Sequence, residues 1–421
     1  MIMVLGPSNA AEHDQGSVDH GRRVRSASVD FRDTPDEAAF RAELRTWLRD
    51  NLPADWADKP PHVGTYDENF MREWSQRLYD AGYVGLTWPE EFGGRGLGHT
   101  FQGIFLEESA RAGAPPHIGG IGLGMAGPTI IAWGTHEQKA RYLKPLLRGD
   151  EVWCQGFSEP GSGSDLGGAR TYAERDGDEW VVNGQKVWSS WAHIADFCIL
   201  VVRTDREAPK HAGLSYLLVD MKTPGVEVRP LRQITGDPEF NEIFFSDVRV
   251  PVTSILGGPG DGWKVAMTTL LHERGTLGFA LTARLEVAVE QVIALAQQKN
   301  SDGSRAADDP VIRDEIAKAW IDLQSLRYTN YSSLTSLVRT GVPGPEGSVA
   351  KLHWSEANQR ITKLALSIEG LASQLDGAGG VWDGYWQYEQ LRSRGNTIEA
   401  GTSEILRNII AERVVGLPKS R

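Results

Sequence analysis

A carboxylate at Glu273 lies on a small or apolar face of a predicted helix. The residues that share this face at helical spacing are Ala266, Leu270, Leu277 and Ala280. A carboxylate in such surroundings either pairs with a neighbouring arginine or has a function, because burial disfavours its charged form. Burial raises the pKa of a carboxyl group toward neutrality, which suits a general base. Glu273 is therefore a candidate for proton abstraction, with an arginine-paired structural role as the alternative.

A second candidate site is the segment 157–165, which reads Phe-Ser-Glu-Pro-Gly-Ser-Gly-Ser-Asp. Its hydroxyls, glycines and free backbone N–H groups could approach a planar cofactor or a phosphate closely. A flexible surface loop is the other interpretation. Trp188-Ser-Ser190 falls at a predicted strand end, where an indole and a hydroxyl could lie beside a flavin. A tryptophan at a strand end can equally belong to the core.

Other chemical motifs are absent or unconvincing. Gly122 to Gly127 matches G-x-G-x-x-G, but no strand precedes it and the surrounding pattern is helical. A dinucleotide-binding turn requires that strand, so we do not interpret the string as one. The sequence has no P-loop, no G-x-S-x-G and no H-E-x-x-H string. Its ten histidines lack ligand spacing, which argues against a metal site.

Changes of pattern divide the chain into an extension and three domains. Residues 8–30 are polar and charged, and residues 1–30 are predicted to be a disordered extension. Residues 31–152 carry helical periodicity, 153–256 carry short strand runs separated by turns, and 257–421 carry long helical runs. We therefore predict a helical domain, an antiparallel β domain and a four-helix bundle. The bundle helices are expected near 263–299, 309–340, 345–375 and 403–415.

The β domain contains a strong hairpin signal. Asn183-Gly184 separates two apolar runs that begin at Trp180 and end at Trp188, and Asn-Gly suits a type I′ turn. We predict a hairpin with its turn at this dipeptide. Further strands are expected at Phe197–Val202, Leu214–Asp220, Val226–Leu231 and Glu242–Phe245.

Composition excludes several classes of protein. The chain has 421 residues, of which 40% are hydrophobic and 24% charged, as in globular proteins. Its net charge of -12 argues against binding to nucleic acid or to anionic membranes. No apolar run is long enough to span a bilayer. Two cysteines, Cys154 and Cys198, exclude a disulfide scaffold, and a reducing cytoplasm is the expected location.

Several segments together resemble the acyl-CoA dehydrogenase family. They are 86–94, 134–143, 157–165, 178–188, 261–274 and 397–407. The resemblance implies an α+β fold with an N-terminal helical domain, a middle antiparallel β domain and a C-terminal four-helix bundle. It also implies bound FAD and oxidation of an acyl-CoA to a trans-2-enoyl-CoA. In that reaction a base abstracts the α-proton and a hydride passes to flavin N5.

The resemblance assigns residues to the cofactor. Ser158 and Ser190 stand where the family usually has threonines that contact the flavin, and Ser164 matches a serine at the FAD pyrophosphate. Thr402 and Glu404 match the element that approaches the nucleotide end of FAD. The full set of expected cofactor contacts is Phe157, Ser158, Gly163, Ser164, Trp188, Ser190, Thr402 and Glu404.

The resemblance also bears on the base. One branch of the family carries its glutamate where this chain has Ala400, so that base is missing. Another branch, similar to isovaleryl-CoA and long-chain enzymes, carries it on the first bundle helix just before an arginine. Glu273 matches that placement, and Arg274 together with Ser164 is expected to contact the substrate. Glu399 is the second candidate for the base.

One departure from the family pattern concerns assembly. The loop after the first bundle helix lacks the R-x-x-F string whose arginine reaches a neighbour's FAD. Arg305 or Lys299 could substitute, or a different partner chain could complete the site. We expect a homotetramer or homodimer, with a hetero-oligomer as the alternative, and an electron-transfer flavoprotein as acceptor.

Other functions on the same fold stay open at this stage. They are an acyl-CoA oxidase, a flavin monooxygenase and a non-catalytic assembly subunit. The placement of the base is shared with branched-chain and long-chain enzymes and favours a branched or bulky acyl group. The sequence does not decide between a branched, a long-chain and a bulky polycyclic acyl group.

Overall fold

The computed structural model describes residues 32–56, 62–64, 66–300, 302–340, 344–375 and 377–419. The side chains of 273–277 and 378 lie outside this description. The predicted extension over residues 1–30 also lies outside the described residues. Within the described chain, no helix is long and apolar enough to cross a membrane, and no group of three or more His, Cys, Asp or Glu side chains could hold a metal ion.

Helices form the N-terminal part of the structure. The first begins after Thr34, whose hydroxyl accepts from the Glu37 N–H while the Glu37 carboxylate accepts from the Thr34 N–H. This reciprocal cap satisfies two N–H groups that would otherwise lack partners at the helix start. The last helix of this N-terminal part ends at Arg148. Its C-cap, Gly149, adopts the left-handed conformation with φ 75°. The helices are α1 (Pro35–Asn51), α2 (Glu68–Asp80), α3 (His99–Arg111), α4 (Gly127–Trp133) and α5 (His136–Arg148), with a π-helical turn at Gly122–Ala126 before α4.

The G-x-G-x-x-G string serves helix packing. Gly122 lies in the π-helical turn, and a Cβ there would approach Leu146 Cγ to 2.9 Å. A Cβ on Gly127 would lie 2.0 Å from Cη2 of Trp88. Both glycines therefore allow close approach of neighbouring side chains, and no strand precedes them.

Adding a methyl group at Gly127 should destabilise the protein. We expect Gly127→Ala to lower the free energy of unfolding by about 1–3 kcal/mol, since the Trp88 indole must move out of a packed core. Gly124→Ala is the matched control, because a Cβ on Gly124 meets nothing within 4 Å. Urea unfolding of both variants checks this, and equal midpoints for the two would contradict it.

One seven-stranded sheet forms the middle of the chain. The strands are β1 (Trp153–Gly156), β2 (Tyr172–Asp176), β3 (Glu179–Ser190), β4 (Phe197–Arg203), β5 (Leu214–Asp220), β6 (Val226–Leu231) and β7 (Phe240–Pro251). The order is β1-β4-β2-β3-β7-β6, with β5 paired to β4. The expectation of a purely antiparallel domain is wrong in one respect, because β4 pairs in parallel with both β1 and β2. Strand periodicity carries no information about the direction of the neighbouring strand.

The predicted hairpin at Asn183-Gly184 is also wrong. β3 continues through this dipeptide, and the tight turn lies instead at Gly177-Asp178 between β2 and β3. Gly184 occupies a β-bulge with φ 147°, where a Cβ would lie 2.6 Å from Thr171 Oγ1. The glycine is required by this close approach rather than by a turn.

The sheet separates two cores. On β4, Ile199 and Val201 pack with the N-terminal helices, whereas Cys198, Leu200 and Val202 pack in a second core on the other face. Burial on both faces explains why this strand is a continuous apolar run.

The C-terminal part is a helical bundle with its own core. Its helices are α6 (Gly262–Gln297), α7 (Pro310–Thr340), α8 (Glu346–Glu369), α9 (Tyr385–Asn396) and the short α10 (Ser403–Ile409). Trp386 of α9 is buried among residues of α6, α7 and α8. The fourth bundle helix is therefore α9, which the sequence prediction missed, and the predicted helix at 403–415 is a seven-residue helix followed by a π-helical turn.

Candidate active site

The predicted loop 157–165 is anchored at its start to the sheet. The buried Phe157 ring packs edge-on against Tyr216, with ring centroids 5.9 Å apart. The Ser158 carbonyl accepts a hydrogen bond of 2.9 Å from the Val187 N–H, one residue before Trp188. This bond holds the start of the loop beside the end of β3.

A buried ion pair, which sequence analysis missed, reinforces that junction. Lys186 Nζ donates to Glu159 Oε1 at 2.8 Å and to the Phe157 carbonyl at 3.1 Å. The Glu159 carboxylate also accepts from the N–H groups of Arg170 (2.7 Å) and Thr171 (2.8 Å). Burial alone would raise the pKa of Glu159, but the Lys186 charge and these hydrogen bonds outweigh it and lower the pKa. These bonds therefore fasten the start of the loop to β3.

Trp188 presents its indole to the space beside this junction. It lies at a register shift between Lys186 and Ser189 and has φ 61°, a conformation that bulky residues rarely adopt. Its side chain is 61% exposed and meets Phe240 edge-on at 6.0 Å. An exposed indole held in a strained backbone indicates a ligand surface. The half-buried Ser190 pairs with Phe240 in the β3–β7 ladder.

Arg392 of α9 connects the surface at Trp188 to the segment 396–402 at the end of α9. Its guanidinium lies 5.8 Å from the Phe240 ring centroid and 3.8 Å from the Glu239 carboxylate. It also donates to both carboxylate oxygens of Glu399, at 3.2 and 3.0 Å. Asn396 Nδ2 donates to Glu399 at 2.8 Å. Glu399, the second candidate base, is thus engaged by an arginine and an amide.

The segment from Asn396 to Thr402 is fixed by a buried lysine of α8. Lys351 Nζ donates to the carbonyls of Asn396 (2.7 Å) and Gly401 (2.8 Å). Ala400 has φ 51°, so it also lies in the left-handed region. The Thr402 hydroxyl caps α10 by accepting from the Ile405 N–H at 3.2 Å. The predicted helix start at Thr402 is therefore present.

Three of the predicted cofactor contacts lie at exposed positions. Gly163 and Ser164 are exposed, and their N–H groups have no acceptor among the described residues. Glu404 is exposed in the first turn of α10, where its own backbone N–H and the Thr402 hydroxyl lower its pKa. The N–H groups of Gly163 and Ser164 can donate to a phosphate without breaking existing hydrogen bonds.

The predicted base lies on α6, but its side chain and that of Arg274 are outside the described residues. The helix itself is continuous from Gly262 to Gln297. Burial, followed by the charge of His99 on α3, lowers the pKa of the neighbouring His272. Burial likewise lowers the pKa of His99. Burial therefore favours the neutral form of both imidazoles.

The two cations proposed to replace the R-x-x-F arginine differ in their surroundings. Arg305 forms a local ion pair with Asp308, 3.0 Å apart. Lys299 is exposed and pairs with Arg305 through an isolated β-bridge. Arg305 would have to leave Asp308 to reach a neighbour's cofactor.

Models of the N-terminal, middle and C-terminal domains of acyl-CoA dehydrogenases match residues 34–150, 154–248 and 260–415. The chain belongs to the acyl-CoA dehydrogenase family. Enzymes of this family depend on FAD, so this protein is an FAD-dependent oxidoreductase whose general reaction is the dehydrogenation of acyl-CoA.

Relatives of this acyl-CoA dehydrogenase match along nearly its whole length. Acyl-CoA dehydrogenase IpdE1 of Mycobacterium tuberculosis (strain H37Rv) is 44% identical over 391 residues, which cover 91% of this chain and 98% of the relative. The mitochondrial short-chain specific acyl-CoA dehydrogenase of Homo sapiens is 33% identical over 367 residues, covering 85% of this chain and 87% of that one.

Solved structures share the fold. One described as the Tcur3481-Tcur3483 steroid ACAD has a TM-score of 0.82 and 32% identity, covering 93% of this chain and all of that chain. The ChsE4-ChsE5 complex from Mycobacterium tuberculosis gives a TM-score of 0.81 with 32% identity and the same coverage.

The residues on this surface of the acyl-CoA dehydrogenase fit FAD. An exposed indole offers an apolar face to a flavin ring, and unbonded N–H groups at Gly163 and Ser164 offer donors to a pyrophosphate. A Cβ on Gly161 or Gly163 would meet nothing within 4 Å, so the loop leaves open space above it.

Proposed function

We propose that this enzyme oxidises an acyl-CoA to its trans-2-enoyl-CoA with Glu273 as the base. Bound FAD supplies the acceptor for the hydride that leaves the β carbon. Glu273 accepts the α-proton, Arg274 and Ser164 bind the substrate, and the loop 157–165 with Trp188 and Ser190 orients the cofactor. Thr402 and Glu404 lie at its nucleotide end.

The observation that carries the choice of base is the Arg392–Glu399 ion pair. A carboxylate that serves as a general base must be able to turn toward the proton that it removes. Both oxygens of Glu399 already accept hydrogen bonds from Arg392, and Asn396 adds a third. Ala400 occupies the other family position for the base. This leaves Glu273 as the favoured carboxylate.

The substrate that we propose has a bulky, polycyclic acyl group. The placement of the base favours a branched or bulky group, and one neighbour of 32% identity is described as a steroid ACAD. An electron-transfer flavoprotein is the proposed acceptor. The proposed domains are 31–152, 153–256 and 257–421, and the buried free thiols of Cys154 and Cys198 agree with a reducing cytoplasm.

Anaerobic flavin reduction tests the activity. The FAD-loaded protein should lose its visible flavin absorbance when it is mixed with polycyclic acyl-CoA, and more slowly with short straight-chain acyl-CoA. Reoxidation by an electron-transfer flavoprotein but not by oxygen would distinguish a dehydrogenase from an oxidase or monooxygenase. A flavin that no acyl-CoA bleaches would refute the proposal.

We further propose that a second family subunit completes the flavin site. The missing R-x-x-F string supports this. Two neighbours of 32% identity each carry two names, Tcur3481-Tcur3483 and ChsE4-ChsE5, and the second is described as a complex. Expressed alone, the chain should carry less than one FAD per subunit, and co-expression with a second family subunit should raise the ratio. Flavin absorbance and light-scattering mass measure both quantities. A homotetramer with full occupancy would contradict this and favour Arg305 or Lys299.

A further inference from the structure

A network of three buried hydroxyls joins α6 to β5 and α4. The Thr269 hydroxyl of α6 lies 3.0 Å from the Tyr216 hydroxyl of β5 and 3.0 Å from the Thr129 hydroxyl of α4. All three residues are fully buried. Thr129 also donates to the Met125 carbonyl at 2.7 Å, and Thr269 donates to the Val265 carbonyl at 3.1 Å. Each hydroxyl therefore has a hydrogen-bond partner inside the protein, as a buried polar group requires.

Tyr216 is the donor toward α6. Burial raises the pKa of its phenol, so the hydroxyl keeps its proton. A threonine hydroxyl carries one proton and two lone pairs, so Thr269 can accept from Tyr216 while it donates to the Val265 carbonyl. The bond between β5 and α6 therefore depends on one phenolic proton, which Tyr216→Phe would remove without changing the ring.

Thr269 lies one helical turn before position 273. The helix α6 is continuous from Gly262 to Gln297, so the N–H of residue 273 donates to the Thr269 carbonyl. This connection runs through the helix backbone and needs no contact between side chains. A displacement of Thr269 would therefore move the backbone of position 273 as well.

The turn that follows position 273 needs support from outside the helix. Gly275 and Gly278 lie within α6, and glycine is a weak helix former in a helix interior. Asn330 of α7 is buried and donates to the Gly278 carbonyl at 2.9 Å. The backbone around position 273 is thus held through Thr269 on one side and through Asn330 on the other.

The same tyrosine also contacts the loop 157–165. Its ring packs edge-on against Phe157, the first residue of that loop, with centroids 5.9 Å apart. Its backbone is fixed within the sheet, because Tyr216 pairs with Val201 and its carbonyl accepts from the Leu256 N–H at 2.8 Å. One rigid side chain therefore contacts the loop with its ring and α6 with its hydroxyl.

We propose that Tyr216 is a positioning residue that sets the spacing between the loop 157–165 and the turn of α6 that carries Glu273. The inference rests on the proposed function, because it takes Glu273 as the base and the loop as the element that orients FAD. In that reaction the α-proton passes to the carboxylate and the hydride leaves the adjacent β carbon for the flavin. The carboxylate and the flavin must therefore keep a fixed separation, and an error of about 1 Å can cost two orders of magnitude in rate.

Removal of the Tyr216 hydroxyl tests the inference. The protein, loaded with FAD and with its partner subunit if one is required, is mixed anaerobically with the polycyclic acyl-CoA. We expect Tyr216→Phe to slow flavin reduction about tenfold at saturating substrate and to leave the dissociation constant unchanged, because the ring contact with Phe157 remains. Tyr83→Phe is the control, since it removes the hydroxyl of another buried tyrosine, 3.5 Å from Glu43, and should leave the rate unchanged.

A matched pair of variants at Thr269 tests the other end of the same bond. Thr269→Ser keeps the hydroxyl and should retain the wild-type rate, whereas Thr269→Val removes it and should slow reduction as Tyr216→Phe does. The double variant Tyr216→Phe with Thr269→Val should be no slower than either single variant, because all three lack the same hydrogen bond. Equal rates for Thr269→Ser and Thr269→Val would overturn the inference.

Exchange of the α-protons measures the position of the base without flavin reduction. The probe is the same acyl-CoA with sulfur in place of the β carbon, which has no hydride to transfer, and its α-protons exchange with D₂O. Exchange should slow in Tyr216→Phe and Thr269→Val by about the same factor as reduction. Wild-type exchange in both variants would overturn the inference, even if urea unfolding shows a loss of stability, because the network would then support the fold alone. If no acyl-CoA reduces the wild-type flavin, the proposed function fails and this inference fails with it.

Discussion

Replacing Glu273 by Gln should slow flavin reduction by about 10²- to 10⁴-fold, the usual range for removal of a general base. The amide is nearly isosteric with the carboxylate, so FAD and acyl-CoA should still bind. The loss should therefore appear in the rate constant at saturating substrate rather than in the dissociation constant. Rapid mixing of the enzyme with substrate under anaerobic conditions measures both.

Glu399→Gln is the control for this experiment. Its carboxylate is bound by Arg392 and Asn396, so its loss should disturb the C-terminal segment and lower the rate by less than about tenfold, a smaller effect than loss of a base. Wild-type rates in Glu273→Gln together with an inactive Glu399→Gln would show that Glu399 is the base.

A double variant tests whether the base can be moved. Glu273→Gly combined with Ala400→Glu transfers the carboxylate to the other family position. Ala400 has φ 51°, and glutamate there bears the same backbone strain as alanine, so the loop should keep its shape. Partial recovery is expected, because a misplacement of about 1 Å can cost two orders of magnitude in rate. No recovery over Glu273→Gly alone would indicate that the new carboxylate does not reach the α carbon.

Local sequence patterns predicted most of the helices and strands. The apolar run of β4 is a feature of adjacent residues, so the sequence reveals it directly. The Asn183-Gly184 turn failed because its glycine is required by Thr171, a contact that sequence spacing does not show. A second turn signal, Gly177-Asp178, lies nearby in the sequence and forms the turn of the hairpin between β2 and β3.

Helix α9 was missed for a different reason. It is rich in polar and aromatic residues, and only Trp386, Ser393 and Asn396 are buried. Three buried positions over twelve residues give a weak helical period. Its stability depends on contacts with α8 and with β7, which are distant in sequence.

The candidate site was predicted in part. Trp188 and the loop 157–165 could be placed at one strand end, since short motifs mark them. The residues that join Trp188 to this loop could not be predicted. A lysine in a strand usually points to solvent, and no local pattern indicates that Lys186 meets Glu159. The one available signal was the alternation of side chains along the strand. Lys186 lies on the same core-facing side of β3 as Trp180 and Val182.

Among substitutions near Trp188 and the loop 157–165, we expect Lys186→Met to lower the free energy of unfolding most. Removal of one partner leaves the Glu159 carboxylate buried without a counter-charge, which costs about 3–5 kcal/mol in the free energy of unfolding. The start of the loop also loses the bond to the Phe157 carbonyl, so FAD affinity should fall as well. Urea unfolding and flavin titration measure the two effects.

The exposed pair formed by Arg249 and Glu179, 2.8 Å apart on the same sheet, supplies the control. Arg249→Met should cost less than about 1 kcal/mol, because water screens an exposed pair. The double variant Lys186→Met with Glu159→Gln should recover part of the loss, since it removes the buried charge. The single amide oxygen replaces only one of the two carboxylate oxygens that accept from the Arg170 and Thr171 N–H groups, so recovery should be incomplete. A double variant as unstable as Lys186→Met would mean that lost packing, not the unpaired charge, causes the effect.

The pH dependence of Lys186→Met separates charge from packing further. In the wild type the pKa of Glu159 is lowered on folding, so its contribution to stability is complete above the ordinary value of 4.5 and is lost as the pH falls through the folded-state pKa. In Lys186→Met, burial without the lysine charge raises that pKa instead, and protonation removes the penalty. The difference in the free energy of unfolding between the two proteins should therefore narrow as the pH falls from 7 toward 4.5. A difference that stays constant over this range would refute a charge-based role for Lys186.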